Sequence, residues 1–301
     1  MLLALTLVSP DPAATAEAGA RVGEAVARLP ARVKEPRTLG PGAVDWLVEA
    51  DDLTAVRAAA ATAPAGLPVD VCVQPFAGRR KRLFIADMDS TIIGCECLDE
   101  LADFAGVKAE VAAITERAMR GEIAFEGALR ERVAMLKGLS SSVLQQCYQD
   151  RVRLNPGAET LVRTMAAHGV HCMLVSGGFE SFTGPVSLAA GFAGHQANRL
   201  IIENDRLTGE VAEPILGREA KLEALQLHAA QLGLAFDEAL AIGDGANDLA
   251  MIEAAGLGVA YRAKPVVAAQ ADAKVDYADL TAVLYYQGYA QSDFVNAGSP
   301  A

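Results

Sequence analysis

Asp87-Met88-Asp89-Ser90-Thr91 sets two carboxylates two residues apart, directly after the apolar run Leu83-Phe84-Ile85-Ala86. In a doubly wound sheet, ligands bind beyond the C-terminal ends of the strands, and a strand ending at Asp87 puts the pair there. Ser176-Gly177-Gly178 follows a second apolar run, residues 170–175. A hydroxyl and two glycines at a helix N-terminus supply hydrogen-bond donors and let an oxyanion approach the backbone closely. A third run, 239–243, leads into Gly243-Asp244-Gly245-Ala246-Asn247-Asp248. Three oxygen-bearing side chains in five residues, with two glycines, suit a hard cation or a phosphate. Lys221 lies between the last two motifs, on a segment of helical pattern. Singly, each has an ordinary explanation: Asp is common in loops after strands, Ser-Gly-Gly is a turn, and a lone helical Lys is solvated. Their placement at the ends of successive strands has no such explanation.

The elements that must position these groups can be read from periodicity. From residue 83, apolar runs alternate with helical stretches at 158–168, from about 179, and at 218–232, and a further strand follows at 257–261. That alternation predicts a parallel sheet with right-handed crossovers. Residues 195–212 read as a hairpin turning near Asn204-Asp205. Residues 98–150 are helical in pattern, with breaks near Gly106, Gly121 and Gly138, and so form an insert between the first strand and the rest. Ahead of this core, β-prone runs at 2–9, 44–49 and 69–73 flank helical stretches at 15–28 and 52–62, which predicts a small α/β unit. That unit resembles the ACT-like modules of some amino-acid enzymes. It carries no catalytic motif, and packing or dimerisation into a homodimer suits it as well as ligand sensing. Arg79-Arg80-Lys81-Arg82 reads as a solvated junction. The expected organisation is an N-terminal module over 1–78, a core over 79–94 and 151–290, a helical cap over 95–150, and a flexible tail over 291–301.

Composition narrows the function classes. The chain has 301 residues, 52% of them hydrophobic, enough for a sizeable core. A formal charge of −12 opposes non-specific nucleic-acid binding, and an anionic substrate must be attracted by local groups. Five scattered cysteines without a CxxC pair suggest neither a disulfide framework nor a zinc site. The apolar start MLLALTLVSPDP has no basic residue ahead of it and is too short for a signal peptide. No apolar run reaches membrane-spanning length. The expectation is a cytoplasmic protein, with its four histidines (168, 171, 195, 228) structural or on the surface.

The motifs, in this order, resemble those of the haloacid dehalogenase-like superfamily, and over residues 83–290 specifically its phosphoserine phosphatases. The resemblance implies an α/β fold: a Rossmann-like parallel-sheet core with an inserted helical cap. It implies Asp87 as nucleophile, giving an aspartyl-phosphate, and Asp89 as general acid and base. It implies one Mg²⁺ on the Asp87 carboxylate, the Asp89 carbonyl and the Asp244 carboxylate. Ser176, the Gly177 N–H and Lys221 would neutralise the phosphoryl oxygens. Asn247 would contact the phosphate region and Asp248 would support the metal or Lys221. Dehalogenases of the superfamily lack the second Asp, since a halide leaves without a proton, so Asp89 argues for phosphoryl transfer.

Substrate choice must come from the cap. Gly94-Cys95-Glu96 and the segment Phe125–Arg132 resemble the phosphoserine-binding segments of that family, which assigns Glu96 to the substrate ammonium and Arg132 to its carboxylate, with Phe125 shielding the site. Two other readings remain open at this point. One is a phosphatase or phosphotransferase for another small phosphomonoester on the same core, with homoserine as an example of an acceptor replacing water. The other is a non-catalytic, amino-acid-sensing regulator.

Overall fold

A computed structural model describes residues 1–119 and 122–295. Its N-terminal unit contains β1 (Leu2–Val8), α1 (Pro12–Ala27), β2 (Ala31–Val33), β3 (Arg37–Gly40), β4 (Ala43–Ala50), α2 (Leu53–Thr62) and β5 (Asp70–Pro75). The sheet is antiparallel in the order β2-β4-β1-β5, with β3 also paired to β4. With β2 and β3 counted as one interrupted strand, this is the split β-α-β arrangement. Strand β1 is buried on both faces for two reasons. Leu3, Leu5 and Leu7 pack beneath the helices with Ala14, Ala18, Val22 and Val26 of α1, whereas Val8 joins the core of the larger unit.

The larger unit starts with β6 (Leu83–Ala86). The chain then forms four helices before returning: α3 (Cys97–Phe104), α4 (Lys108–Met119), α5 (Phe125–Ala134) and α6 (Ser142–Arg151). Next come α7 (Ala158–Ala167), β7 (His171–Phe179), α8 (Glu180–Ala190), β8 (Gly194–Asn198), β9 (Leu200–Glu203), β10 (Arg206–Val211), α9 (Arg218–Leu232), β11 (Ala239–Gly243), α10 (Leu249–Ala254), β12 (Leu257–Tyr261), α11 (Pro265–Ala268), β13 (Ala273–Val275) and α12 (Ala282–Tyr286). Six strands form one parallel sheet, ordered β13-β12-β11-β6-β7-β8. This is the doubly wound order, and its switch point flanks β6, where winding reverses and a crevice opens.

The neck of the helical insert is tied shut. Ile93 pairs with Leu154, and the Asn155 amide donates to the carbonyls of Thr91 (2.8 Å) and Ile93 (3.1 Å). The hairpin is shorter than its sequence pattern suggests. Residues 194–198 join the main sheet as an edge strand, and only β9 and β10 form the hairpin. Its turn is at Asn204-Asp205, both with positive φ (48° and 59°), as a two-residue hairpin loop requires. Residues 138–141 pair with this hairpin through Gly138 N to Leu207 O, Leu207 N to Leu139 O and Ser141 N to Asp205 O, so the core's hairpin supports the end of α5.

The basic cluster does mark the junction between the units, but it is not solvated throughout. Arg79 is 8% exposed and makes two bonds to Asp45, at 3.0 and 2.9 Å, while Thr6 donates to the same carboxylate. Lys81 is also buried and donates to the carbonyls of Gly78 and Asp237. The Asp70 carboxylate accepts the backbone N–H groups of 276, 277 and 278, which ties β5 to the loop after β13. Nor is the chain frayed directly after 290. Phe294 packs on Tyr285, Asp293 pairs with Arg80, and the Val295 N–H donates to Thr164. Residues 296–301 of the expected tail, and the expected break at Gly121, lie outside the described residues.

Truncating Asp45 to Ala leaves the Arg79 charge buried without its partner, which costs about 3–5 kcal/mol. Breaking the exposed Arg82–Glu238 pair by Arg82→Ala should leave stability nearly unchanged, because solvent screens both charges. Urea unfolding of both variants checks the contrast; equal losses would mean that the junction does not depend on this pair.

Candidate active site

The motif residues converge at the C-terminal ends of β6, β7 and β11, with Ser176-Gly177-Gly178 in the irregular last residues of β7. Asp87 follows β6, and its Oδ1 accepts the Met88 N–H at 2.8 Å. Lys221, in the first turns of α9, places its Nζ 2.6 Å from Asp87 Oδ1 and 2.5 Å from Asp248 Oδ1. It is 2% exposed, so the ammonium lies buried between two carboxylates. Asp248 is fully committed, because its Oδ2 accepts the backbone N–H groups of Asp244 and Gly245. The motif glycine at 243 follows from this fold-back: the Asp248 carboxylate occupies the space that a Cβ at Gly243 would need.

Asp89 faces Ser176. Its Oδ1 accepts the Cys97 N–H at 3.0 Å, and its Oδ2 lies 3.4 Å from Ser176 Oγ. Ser176 Oγ also accepts the Gly178 N–H at 2.9 Å. Asp244 accepts from the Thr91 hydroxyl at 3.2 Å. Asn247 is half-buried and folds against Gly245.

Burial pushes all three carboxyls up. The Asp87 carboxyl is raised well above its ordinary value by burial and then by the Asp248 charge, with Lys221 opposing. Burial and the Glu96 charge push Asp89 up to about 7, and burial, Asp248 and Glu96 push Asp244 up to about 6. Burial by itself would lower Lys221, but Asp248 and Asp87 outweigh it and hold the ammonium charged. Two carboxylates therefore flank the ammonium, and its charge also acts on Asp89 and Asp244.

Comparison with known proteins gives this arrangement a family. The model of the haloacid dehalogenase-like hydrolases matches residues 84–253, which span every motif above. The chain belongs to the haloacid dehalogenase-like hydrolases. A phosphoserine phosphatase of Streptomyces coelicolor is 42% identical over 286 residues, covering 93% of this chain and 68% of that relative's length. A solved HAD-family hydrolase from Salmonella enterica serovar Typhi superposes with a TM-score of 0.84 at 28% identity, over 95% of this chain and 98% of its own. A phosphoserine phosphatase solved as a phospho-aspartyl intermediate analogue has a TM-score of 0.64 at 37% identity, covering 69% of this chain and 99% of its own.

In this hydrolase the cap is packed onto the site. The Phe125 ring lies 3.2 Å from where a Cβ on Gly177 would sit, so a side chain there would push the ring out by a few tenths of an ångström. Arg130 of α5 pairs with Glu213 of the core at 2.7 Å. Glu96 is exposed at the mouth, accepting from the Ser90 hydroxyl at 2.6 Å. Arg132 is partly buried, donating to the Ala128 carbonyl and the Thr115 hydroxyl, and its charge faces Asp99 and Glu96. The structure thus joins Asp87, Lys221, Asp248 and Asp244 through direct contacts and sets Asp89 against Ser176, while Arg132 bonds only within the cap. Three supporting groups were not expected: the Cys97 N–H on Asp89, Thr91 on Asp244, and Thr115 on Arg132. Thr91 stood inside a motif, but nothing in the local pattern around Thr115 links it to an arginine on another helix.

The crevice suits a hard divalent cation. Carboxylate oxygens of Asp87, Asp244 and Asp248 lie within 4.8 Å of one another, the donors are all oxygen, and the cluster carries surplus negative charge. Asp248 is saturated by Lys221 and two N–H groups, so Asp87 and Asp244 are the carboxylates able to hold an ion.

Replacing Lys221 by Met removes the one cation in a cluster of buried carboxylates. Their folded-state pKa values then rise further above the unfolded values, so stability is lost as pH climbs past the unfolded carboxylate range and is regained on acidification. In chelator, Lys221→Met should lose about 3–5 kcal/mol near pH 8 and clearly less near pH 5. Urea titrations at the two pH values test this, and a pH-independent loss would contradict it.

Proposed function

We propose that this chain hydrolyses O-phospho-L-serine to L-serine and phosphate, with Mg²⁺, through an aspartyl-phosphate on Asp87. The observation that carries the reading is the pairing of a buried carboxylate held by Lys221 with a second carboxyl, Asp89, pushed up to about 7 across the same crevice. The similar phosphoserine phosphatase solved as a phospho-aspartyl intermediate analogue supports it.

Asp87 Oδ2, the oxygen that Lys221 and the Met88 N–H do not hold, attacks phosphorus. The bond to the serine oxygen breaks as Asp89 gives that oxygen its proton. Asp89 then takes a proton from water, the water oxygen attacks phosphorus, and the bond to Asp87 breaks to release phosphate. Lys221, Ser176 and the Gly177 N–H face the phosphoryl oxygens, where negative charge spreads in the transition state. Asp87, the Asp89 carbonyl and Asp244 would hold Mg²⁺, which when bound offsets the repulsion between carboxylate and phosphate. Asn247 completes the phosphate side, and Asp248 holds Lys221 in place. Glu96 receives the substrate ammonium and Arg132 its carboxylate, and Phe125 excludes water from the closed site.

The product places the enzyme at the end of L-serine synthesis. No helix among the described residues is long and apolar enough to cross a membrane, in keeping with a cytoplasmic enzyme. The N-terminal unit, with its ferredoxin-like strand order, serves as an ACT-like module and a homodimer contact. The organisation is the module over 1–78, the core over 79–94 and 151–290, and the cap over 95–150.

Phosphate release from phosphoserine and a panel of phosphomonoesters, with and without Mg²⁺, is the deciding assay. Asp87→Asn should lose at least about 10³-fold in kcat. Asp89→Asn should lose about 10²- to 10⁴-fold on phosphoserine and much less on p-nitrophenyl phosphate, whose leaving group needs no proton. Arg132→Ala should raise KM for phosphoserine about 10- to 100-fold and leave p-nitrophenyl phosphate unaffected. Chelator should abolish turnover and added Mg²⁺ restore it. Preference for another ester with Asp87→Asn dead would leave the chemistry standing and overturn the substrate.

A further inference from the structure

Asn198, the last residue of β8, lies outside every motif, yet it is 2% exposed and uses three of its four amide hydrogen-bonding positions. Its Nδ2 donates to the Gly177 carbonyl at 2.9 Å and to the Leu216 carbonyl at 3.2 Å, and its Oδ1 accepts the Leu216 N–H at 2.7 Å. The orientation is forced, because a flipped amide would set oxygen against the Gly177 carbonyl and nitrogen against an N–H. Two segments are joined by this one side chain. One is the irregular end of β7 at Ser176-Gly177-Gly178, where the register with β8 shifts. The other ends at Gly217, where α9 begins and brings in Lys221 one turn later.

We propose that Asn198 is a positioning residue for the phosphoryl-binding groups: it locks the Gly177–Gly178 peptide and couples this irregular end of β7 to the helix carrying Lys221. A Gly-Gly sequence is the backbone segment with most conformational freedom, and donors aimed at an oxyanion act only when they are preorganised. The Gly177–Gly178 peptide plane is held at both ends, its oxygen by Asn198 and its N–H by Ser176 Oγ. That plane fixes where the Ser176 hydroxyl and the preceding Gly177 N–H face. The clamp on Leu216 sets the start of α9, and thereby the reach of Lys221 to Asp87. A side-chain amide is the group the place requires, since it offers two donors to two carbonyls and one acceptor to an N–H within a single planar unit.

The inference rests on the phosphomonoester reading above, so its test is read on inorganic phosphate as well as on turnover. Asn198→Asp keeps the shape, removes both donors and sets a carboxylate against two carbonyls. In the full chain with Mg²⁺, kcat should fall about 10²-fold on phosphoserine and p-nitrophenyl phosphate alike, as for loss of an oxyanion donor. Inhibition by inorganic phosphate should weaken about tenfold, while KM for phosphoserine relative to the panel is kept because Glu96 and Arg132 are untouched. A folded variant with unchanged kcat and unchanged phosphate inhibition overturns the role, as does a loss of thermal stability alone. Amide hydrogen exchange on the wild type reads the same lock without a variant: the Gly178 N–H should exchange as slowly as sheet amides, and free-loop exchange overturns it even if Asn198→Asp does not fold. Should the wild type hydrolyse another ester in place of phosphoserine, the phosphate and exchange readouts still decide the case of Asn198.

Discussion

The rest of the structure is arranged around a buried ammonium. Among the described residues, Lys221 is the cation that contacts Asp87 and Asp248, and without it the crevice would hold mutually repelling carboxylates removed from water. Its position needs three things at once. Helix α9 must begin at Gly217, Asp248 must fold back over Gly243, and β6 must end with Asp87 between β7 and β11. The doubly wound order supplies the last of these, since it places the end of β6 at the reversal point of the sheet. The remaining surplus of negative charge, on oxygen donors alone, suits the cluster to a hard divalent cation.

Around this centre the chain distributes rigidity unevenly. Strands β6, β11 and β12 are buried throughout, and the neck of the cap is pinned by Asn155 and the Ile93–Leu154 bridge. The far end of the cap is held by the hairpin β9–β10, which is itself an excursion of the core. Helix α5 is therefore held by the hairpin at its end, and at its start it meets the core through the ring of Phe125 and the exposed Arg130–Glu213 pair. The N-terminal unit is joined differently, through the buried Asp45–Arg79 pair and the Asp70 clamp on residues 276–278. Both put ionic groups where water is excluded, which favours one docking geometry over sliding alternatives.

Much of this was legible in the residues. Continuous apolar runs ending in Asp87, Ser176 and Asp244 are what strands buried on both faces must look like, and the helical stretches between them leave few topologies open. The insert, the start and end of α9, and the Asn204-Asp205 turn were also readable, since helical period and turn chemistry are local properties. The length of the hairpin was not. Residues 194–198, Gly-His-Gln-Ala-Asn, have little β preference of their own, and only the edge of the main sheet decided that they pair with β7. The basic cluster misled for a related reason: four adjacent cations read as solvated until a carboxylate from β4, 34 residues earlier, is brought against Arg79.

The sequence by itself determined the chemistry of this hydrolase: which carboxylates are paired, which hydroxyl and glycines accompany them, and that strands carry them to one edge. Those follow from residue type and local period. Packing decided that Arg132 meets the Thr115 hydroxyl and that Asn198 joins the irregular end of β7 to the loop before α9. Each of these is a contact between elements far apart in the chain, made by an ordinary polar side chain whose partner is set by packing, and no local pattern encodes such a partner.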